Sequence, residues 1–213
     1  MLLHLVKKDF LLIKKYLPLF IVLPFVIPIF VMIQASQLLG LGAFVLSVIY
    51  AVFMLYQYVL VAEMKYPKAE ALLCSTPYSR STIVKARYAF LLLMFAYSCL
   101  AYYVLALLFT KIEFLTPSSY LITMLILVIL FGVYTPIQYK LGFEKTKYFF
   151  MIIIMVSPFL IAILAKSNIK FDFTALSAIP MNAQYLILIV AIIAILFISI
   201  NVSIKIYSKK ELL

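Results

Sequence analysis

From Tyr16 to Ala62 the chain carries no charged residue, and four further stretches, 88–110, 120–137, 148–165 and 185–204, carry none either. An ionised side chain at the centre of a bilayer costs about 2.5 kcal/mol or more, and a crossing helix needs roughly 20 apolar residues. The first run is about twice that length, so it divides into spans at 17–34 and 39–62 around the weakly polar QASQLLG. The expectation is an all-α integral membrane protein with six transmembrane helices, its residues 1–213 forming a single transmembrane domain. A β-barrel does not fit, because barrel strands alternate apolar and polar side chains, whereas LITMLILVILF is apolar on every face.

Ahead of the first span, residues 2–16 mix apolar clusters with Lys7, Lys8, Asp9, Lys14 and Lys15. That pattern predicts an N-terminal helix in the inner membrane interface, with its lysines turned to the lipid head groups. The apolar run after it lacks a convincing cleavage site, and no removal is expected.

Composition agrees: 68% of residues are hydrophobic and 12% charged, against roughly 45–50% and roughly 25% in soluble domains. With six spans both termini share one side, and that side collects fifteen of the eighteen Lys and Arg residues; Lys111, Lys166 and Lys170 fall opposite. The positive-inside rule therefore places both termini and the 63–87 loop in the cytoplasm. The net charge of +11 reads as a topology signal with attraction to membrane lipids, and no nucleic acid partner is expected, since no folded domain presents a basic patch. The weight of Ile, Lys, Phe and Tyr points to a bacterial cytoplasmic membrane.

Catalytic chemistry is hard to assemble. Asp9, Glu63, Glu70, Glu113, Glu144, Asp172 and Glu211 all lie at span edges or in loops, which disfavours an ion-coupled carrier. Glycines at 40, 42, 132 and 142 cannot build a phosphate-binding loop. Cys74 and Cys99 are separated by the topology, and His4 has no nearby ligand partner, so no metal site is expected.

Within the spans, Pro18, Pro24 and Pro28 crowd the first helix, Pro158 sits in the fifth and Pro136 closes the fourth. Ser47, Tyr50 and Gln57 in the second span and Ser157 in the fifth are the candidates to line a substrate path.

The loop 63–87 is the long polar exception. Pro67 suits the first turn of a helix, KAEALLC has helix-forming composition, and Tyr66, Ala69, Leu72 and Leu73 make an apolar stripe. Pro77 stops it, and Ser79 or Ser81 caps a new helix that continues into the third span. A short amphipathic helix with a proline stop is suited to docking in a groove on another protein.

This stretch, EALLCSTPYSRSTIVKARY, resembles the cytoplasmic loop of small six-span permease subunits of ABC-2 type exporters, at Glu70, Leu72, Leu73, Ser75, Pro77, Ser79, Arg80, Ile83, Val84, Lys85, Arg87 and Tyr88. The resemblance implies a permease that dimerises with a second copy or a sister permease and binds separate ABC ATPase subunits. ATP and Mg would be bound by those subunits and no cofactor by this chain, which would not be an enzyme. It also implies a coupling helix whose ATPase-facing residues are Tyr66, Pro67, Ala69, Glu70, Leu72, Leu73, Thr76, Pro77, Tyr78, Ser79 and Arg80. Members of similar size suggest an amphipathic or hydrophobic peptide as cargo. Two other readings stay open, a membrane assembly or immunity factor that binds a cytosolic partner, and a secondary carrier.

Overall fold

The computed structural model describes residues 2–34, 39–65, 79–166 and 180–209. Among them are seven helices and no strand: α1 (Leu2–Leu12), α2 (Leu17–Gln34), α3 (Leu41–Met64), α4 (Arg80–Leu108), α5 (Pro117–Leu141), α6 (Phe143–Lys166) and α7 (Met181–Ser208). Five of these, α2, α3, α4, α5 and α7, are long and apolar enough to cross a membrane. The span expected at 148–165 lies within α6. The chain is an all-helical, multi-pass membrane protein.

Helix α3 is the axis. Its most apolar stretch is 78% buried, against 17–39% for the other four candidate spans. A helix apolar on all faces can be surrounded without stranding a polar group, and α1, α2, α4, α5 and α6 all pack on it. Aromatic rings fill the gaps at tilted or edge-on angles, with Tyr56 and Phe131 centroids 4.9 Å apart and Phe44 and Tyr102 5.2 Å apart. Helix α7 packs most extensively on α5. Gly132 permits this: a Cβ there would stand 3.4 Å from both Cβ and Oγ of Ser199. The outward faces carry large exposed apolar side chains, such as Leu186, Val190, Ile193 and Phe197 on α7. Lipid solvates these as well as a protein neighbour would, so close packing and interhelical hydrogen bonds must hold the bundle.

Three boundaries differ from the sequence reading. The loop is shorter than 63–87, because α4 starts at Arg80, with Ser79 accepting the Thr82 N–H at 3.3 Å as its N-cap. Ile83, Val84 and Ala86 are buried and give the first turns of α4 a packed face. Pro136 does not close the fourth span: α5 continues to Leu141 and ends at Gly142, whose φ of +79° suits glycine. Helix α1 stops at Leu12, and the chain turns through 13–16, with the Ile13 carbonyl accepting the Tyr16 and Leu17 N–H groups.

Candidate functional site

The end of α3 and the start of α4 flank residues 66–78 in the chain, and a four-charge knot joins them to α1. Arg87 on α4 is its centre. Its Nη1 lies 3.4 Å from Oδ2 of Asp9 on α1, and its Nη2 donates to Oε2 of Glu63 on α3. Lys8 on α1 places Nζ 3.1 Å from Oε1 of Glu63 and 3.1 Å from Oδ1 of Asp9. The second of these is a close ion pair without hydrogen-bond alignment, since Oδ1 has no hydrogen-bond donor. Asp9 and Arg87 are 2% and 5% exposed. Two cations and two carboxylates cancel, and a buried ion that keeps its partners avoids the large cost of an unpaired one. The Tyr56 ring, 5.7 Å from the guanidinium carbon, adds a cation–π contact.

The sequence foreshadowed only part of this. The loop motif points to Arg87, whereas Lys8 reads as a head-group anchor and Asp9 and Glu63 as span-edge charges. Asp9 among four lysines, and Glu63 and Arg87 at facing ends of consecutive spans, were the available signal. Lys8 and Asp9 turn inward, not toward head groups, because α1 buries Leu5, Val6 and Asp9 on one side.

Arg80 forms a second link. Its Nη1 donates to the carbonyl of Ser208 at 2.7 Å and that of Tyr207 at 3.4 Å, so the first residue of α4 caps the last turn of α7. About two turns on, the Tyr88 hydroxyl lies 2.6 Å from Ser199 Oγ and 3.0 Å from Ser203 Oγ, joining α4 to α7 again. Of the residues expected to meet a partner, Ser79 and Arg80 are therefore an N-cap and an interhelical cap. Tyr66, Pro67, Ala69, Glu70, Leu72, Leu73, Thr76, Pro77 and Tyr78 lie outside the described residues.

The four path candidates are all engaged within the bundle, and three share one cause. A proline at position i cannot donate to the carbonyl at i−4. Pro28 thus orphans the Pro24 carbonyl, which Ser47 Oγ serves at 3.2 Å. Pro158 orphans the Ile154 carbonyl, which accepts from the Tyr50 hydroxyl at 3.0 Å and from Ser157 Oγ at 3.2 Å. The same device explains Pro136, whose orphaned Gly132 carbonyl accepts from Ser199 Oγ at 2.8 Å. Gln57 donates from Nε2 to the Tyr134 hydroxyl at 2.8 Å.

A family model described as ABC-2 family transporter protein matches residues 4–208, nearly the whole chain. The chain belongs to this family. No curated protein and no solved structure matches it. As an ABC-2 type permease it belongs with membrane proteins that are typically not enzymes and that associate with separate ABC ATPase subunits. No cluster of His, Cys, Asp or Glu suited to a metal occurs among the described residues of this permease. The knot and the Arg80 cap lie where the segment singled out for docking begins and ends. In this ABC-2 protein they tie α3 and α4, the helices that flank that segment in the chain, to α1 and α7.

Proposed function

We propose that this chain is the transmembrane subunit of an ATP-driven bacterial exporter, and that residues 66–80 form the coupling element seated on a separate ABC ATPase that binds ATP and Mg. The protein crosses the cytoplasmic membrane six times, with α6 as the fifth crossing and both termini cytoplasmic. It works as a dimer with itself or a sister permease. The observation that carries this reading is the knot: Arg87 holds α1 and α3 together at the edge of the segment that resembles a coupling loop. A push on that segment would be delivered to α1, α3 and α4 together, and through Arg80 to α7.

Cargo moves along the surface between two permease copies. The engagement of Ser47, Tyr50 and Gln57 in helix–helix bonds, and of Ser157 on a carbonyl of its own helix, supports this over a path through one bundle. The long apolar outer faces suit an amphipathic or hydrophobic peptide.

Co-purification with a separate ABC ATPase subunit from the same cell tests the proposal. Glu70→Ala and Leu72→Ala with Leu73→Ala should weaken the complex or its cargo-stimulated ATP turnover. If complex and turnover are unaffected by substitutions throughout 66–80, this segment is not the coupling element.

A further inference from the structure

Helix α1 has two faces with different neighbours. Its inner face supplies Lys8 and Asp9 to the knot and stacks Phe10 on Phe90 of α4, ring centroids 4.9 Å apart. Its outer face lines up Leu3, 74% exposed, with Lys7 and with Leu11, 58% exposed, at intervals of four. Lys14 and Lys15 follow, exposed, in the turn to α2. Exposed leucines interleaved with exposed lysines fit one medium, the boundary between acyl chains and head groups. Beside this line runs an apolar groove of about 200 Å³ between α1, α2, α3 and α4, lined by Phe10, Leu17, Phe20, Leu55, Met94 and Tyr97. Phe10 and Leu17, which line the groove, flank the exposed Lys14 and Lys15 in the chain.

We propose that α1 reads anionic phospholipid, with the head group held by Lys7, Lys14 and Lys15 and acyl chain in the groove, and that the knot carries the position of α1 to the ends of α3 and α4. Zwitterionic lipid offers the groove the same acyl chain but no net charge for the lysines. The link to coupling rests on the proposed meeting of 66–80 with an ATPase; the lipid response of the chain itself does not. Two contacts leave α1, Asp9 to Arg87 on α4 and Lys8 to Glu63 on α3, and the Arg87 to Glu63 pair joins them.

The test is amide hydrogen exchange on the full chain in nanodiscs of phosphatidylcholine alone or with phosphatidylglycerol, without any ATPase. In the unaltered chain, phosphatidylglycerol should slow exchange in 2–12 and also in 60–65 and 79–88, by about fivefold, the factor that one lysine at an anionic surface supplies. Lys7→Gln, Lys14→Gln and Lys15→Gln together should abolish the response everywhere. Asp9→Asn should keep it in α1 and weaken it at 79–88, where Arg87 then reaches α1 only through Glu63 and Lys8. Lys8→Gln together with Asp9→Asn, which removes both charge contacts from α1 and leaves Arg87 paired with Glu63, should lose it at 60–65 and 79–88 and keep it in α1. An equal response in the unaltered chain and in both knot variants, or none to lipid charge at all, overturns the proposal. Either failure leaves the ATPase reading standing, since co-purification tests that separately.

Discussion

Arg87 Nη1 lies 3.4 Å from Asp9 Oδ2, joining residues 78 positions apart in the chain across a site nearly closed to solvent. Removing one partner from a buried pair leaves the other charge uncompensated, at about 3–5 kcal/mol. Arg87→Ala should lower the unfolding free energy by an amount near the lower end of that range, because Glu63 is one-third exposed and screened by solvent. Unfolding of the detergent-solubilised chain by a graded denaturant measures it. Neutralising Asp9, Glu63 and Arg87 together should cost less than Arg87→Ala alone.

The hydroxyl-to-carbonyl bonds at prolines predict a specific coupling. Ser47→Ala should destabilise by about 1 kcal/mol in the native background. In a Pro28→Ala background the restored N–H can serve the Pro24 carbonyl, so Ser47→Ala should cost markedly less. A double-mutant cycle reads the difference, and a coupling of zero would show that the hydroxyl is not compensating for the proline.

Close approach at Gly132 sets a size limit. Gly132→Ala meets Ser199 at ordinary contact distance and should be tolerated with a small change in stability. Gly132→Leu should separate α5 from α7 and cost about 1–3 kcal/mol. The comparison of the two melting transitions is the check.

Arg80 links the start of α4 to the end of α7. Arg80→Ala should fray the last turn of α7, raising amide exchange at 205–208 by roughly fivefold, as expected for about 1 kcal/mol from a partly exposed charged contact. Exchange that is unchanged there would remove Arg80 as the cap of α7.

The helical, membrane-spanning architecture was legible because charge-free length is a strong signal: 17–34 coincides with α2, and 39–62 differs from α3 by two residues at each end. Ser79 as a cap was legible from its place after Pro77. The continuation of α5 through Pro136 was not, since it depends on Ser199, which is 63 residues away in sequence and meets the Gly132 carbonyl only after α7 has packed. The knot was hidden for a related reason. Span-edge charges look alike in sequence, and only the placement of α1 against α3 and α4 decides that Lys8 and Asp9 face inward while Lys7 stays out. The path candidates Ser47, Tyr50, Gln57 and Ser157 are all engaged within the bundle, and sequence alone does not connect Ser47, Tyr50 and Ser157 to the carbonyls that Pro28 and Pro158 leave without a donor.

The central claim is that residues 66–80 transmit the work of an ATPase to this permease. Its most direct measure is cargo-stimulated ATP hydrolysis by the reconstituted permease and ATPase, comparing the unaltered chain with Glu70→Ala and Asp9→Asn. The account predicts that Glu70→Ala weakens assembly or stimulation, whereas Asp9→Asn still assembles and hydrolyses ATP but loses stimulation by cargo. Full stimulation in both variants would contradict it.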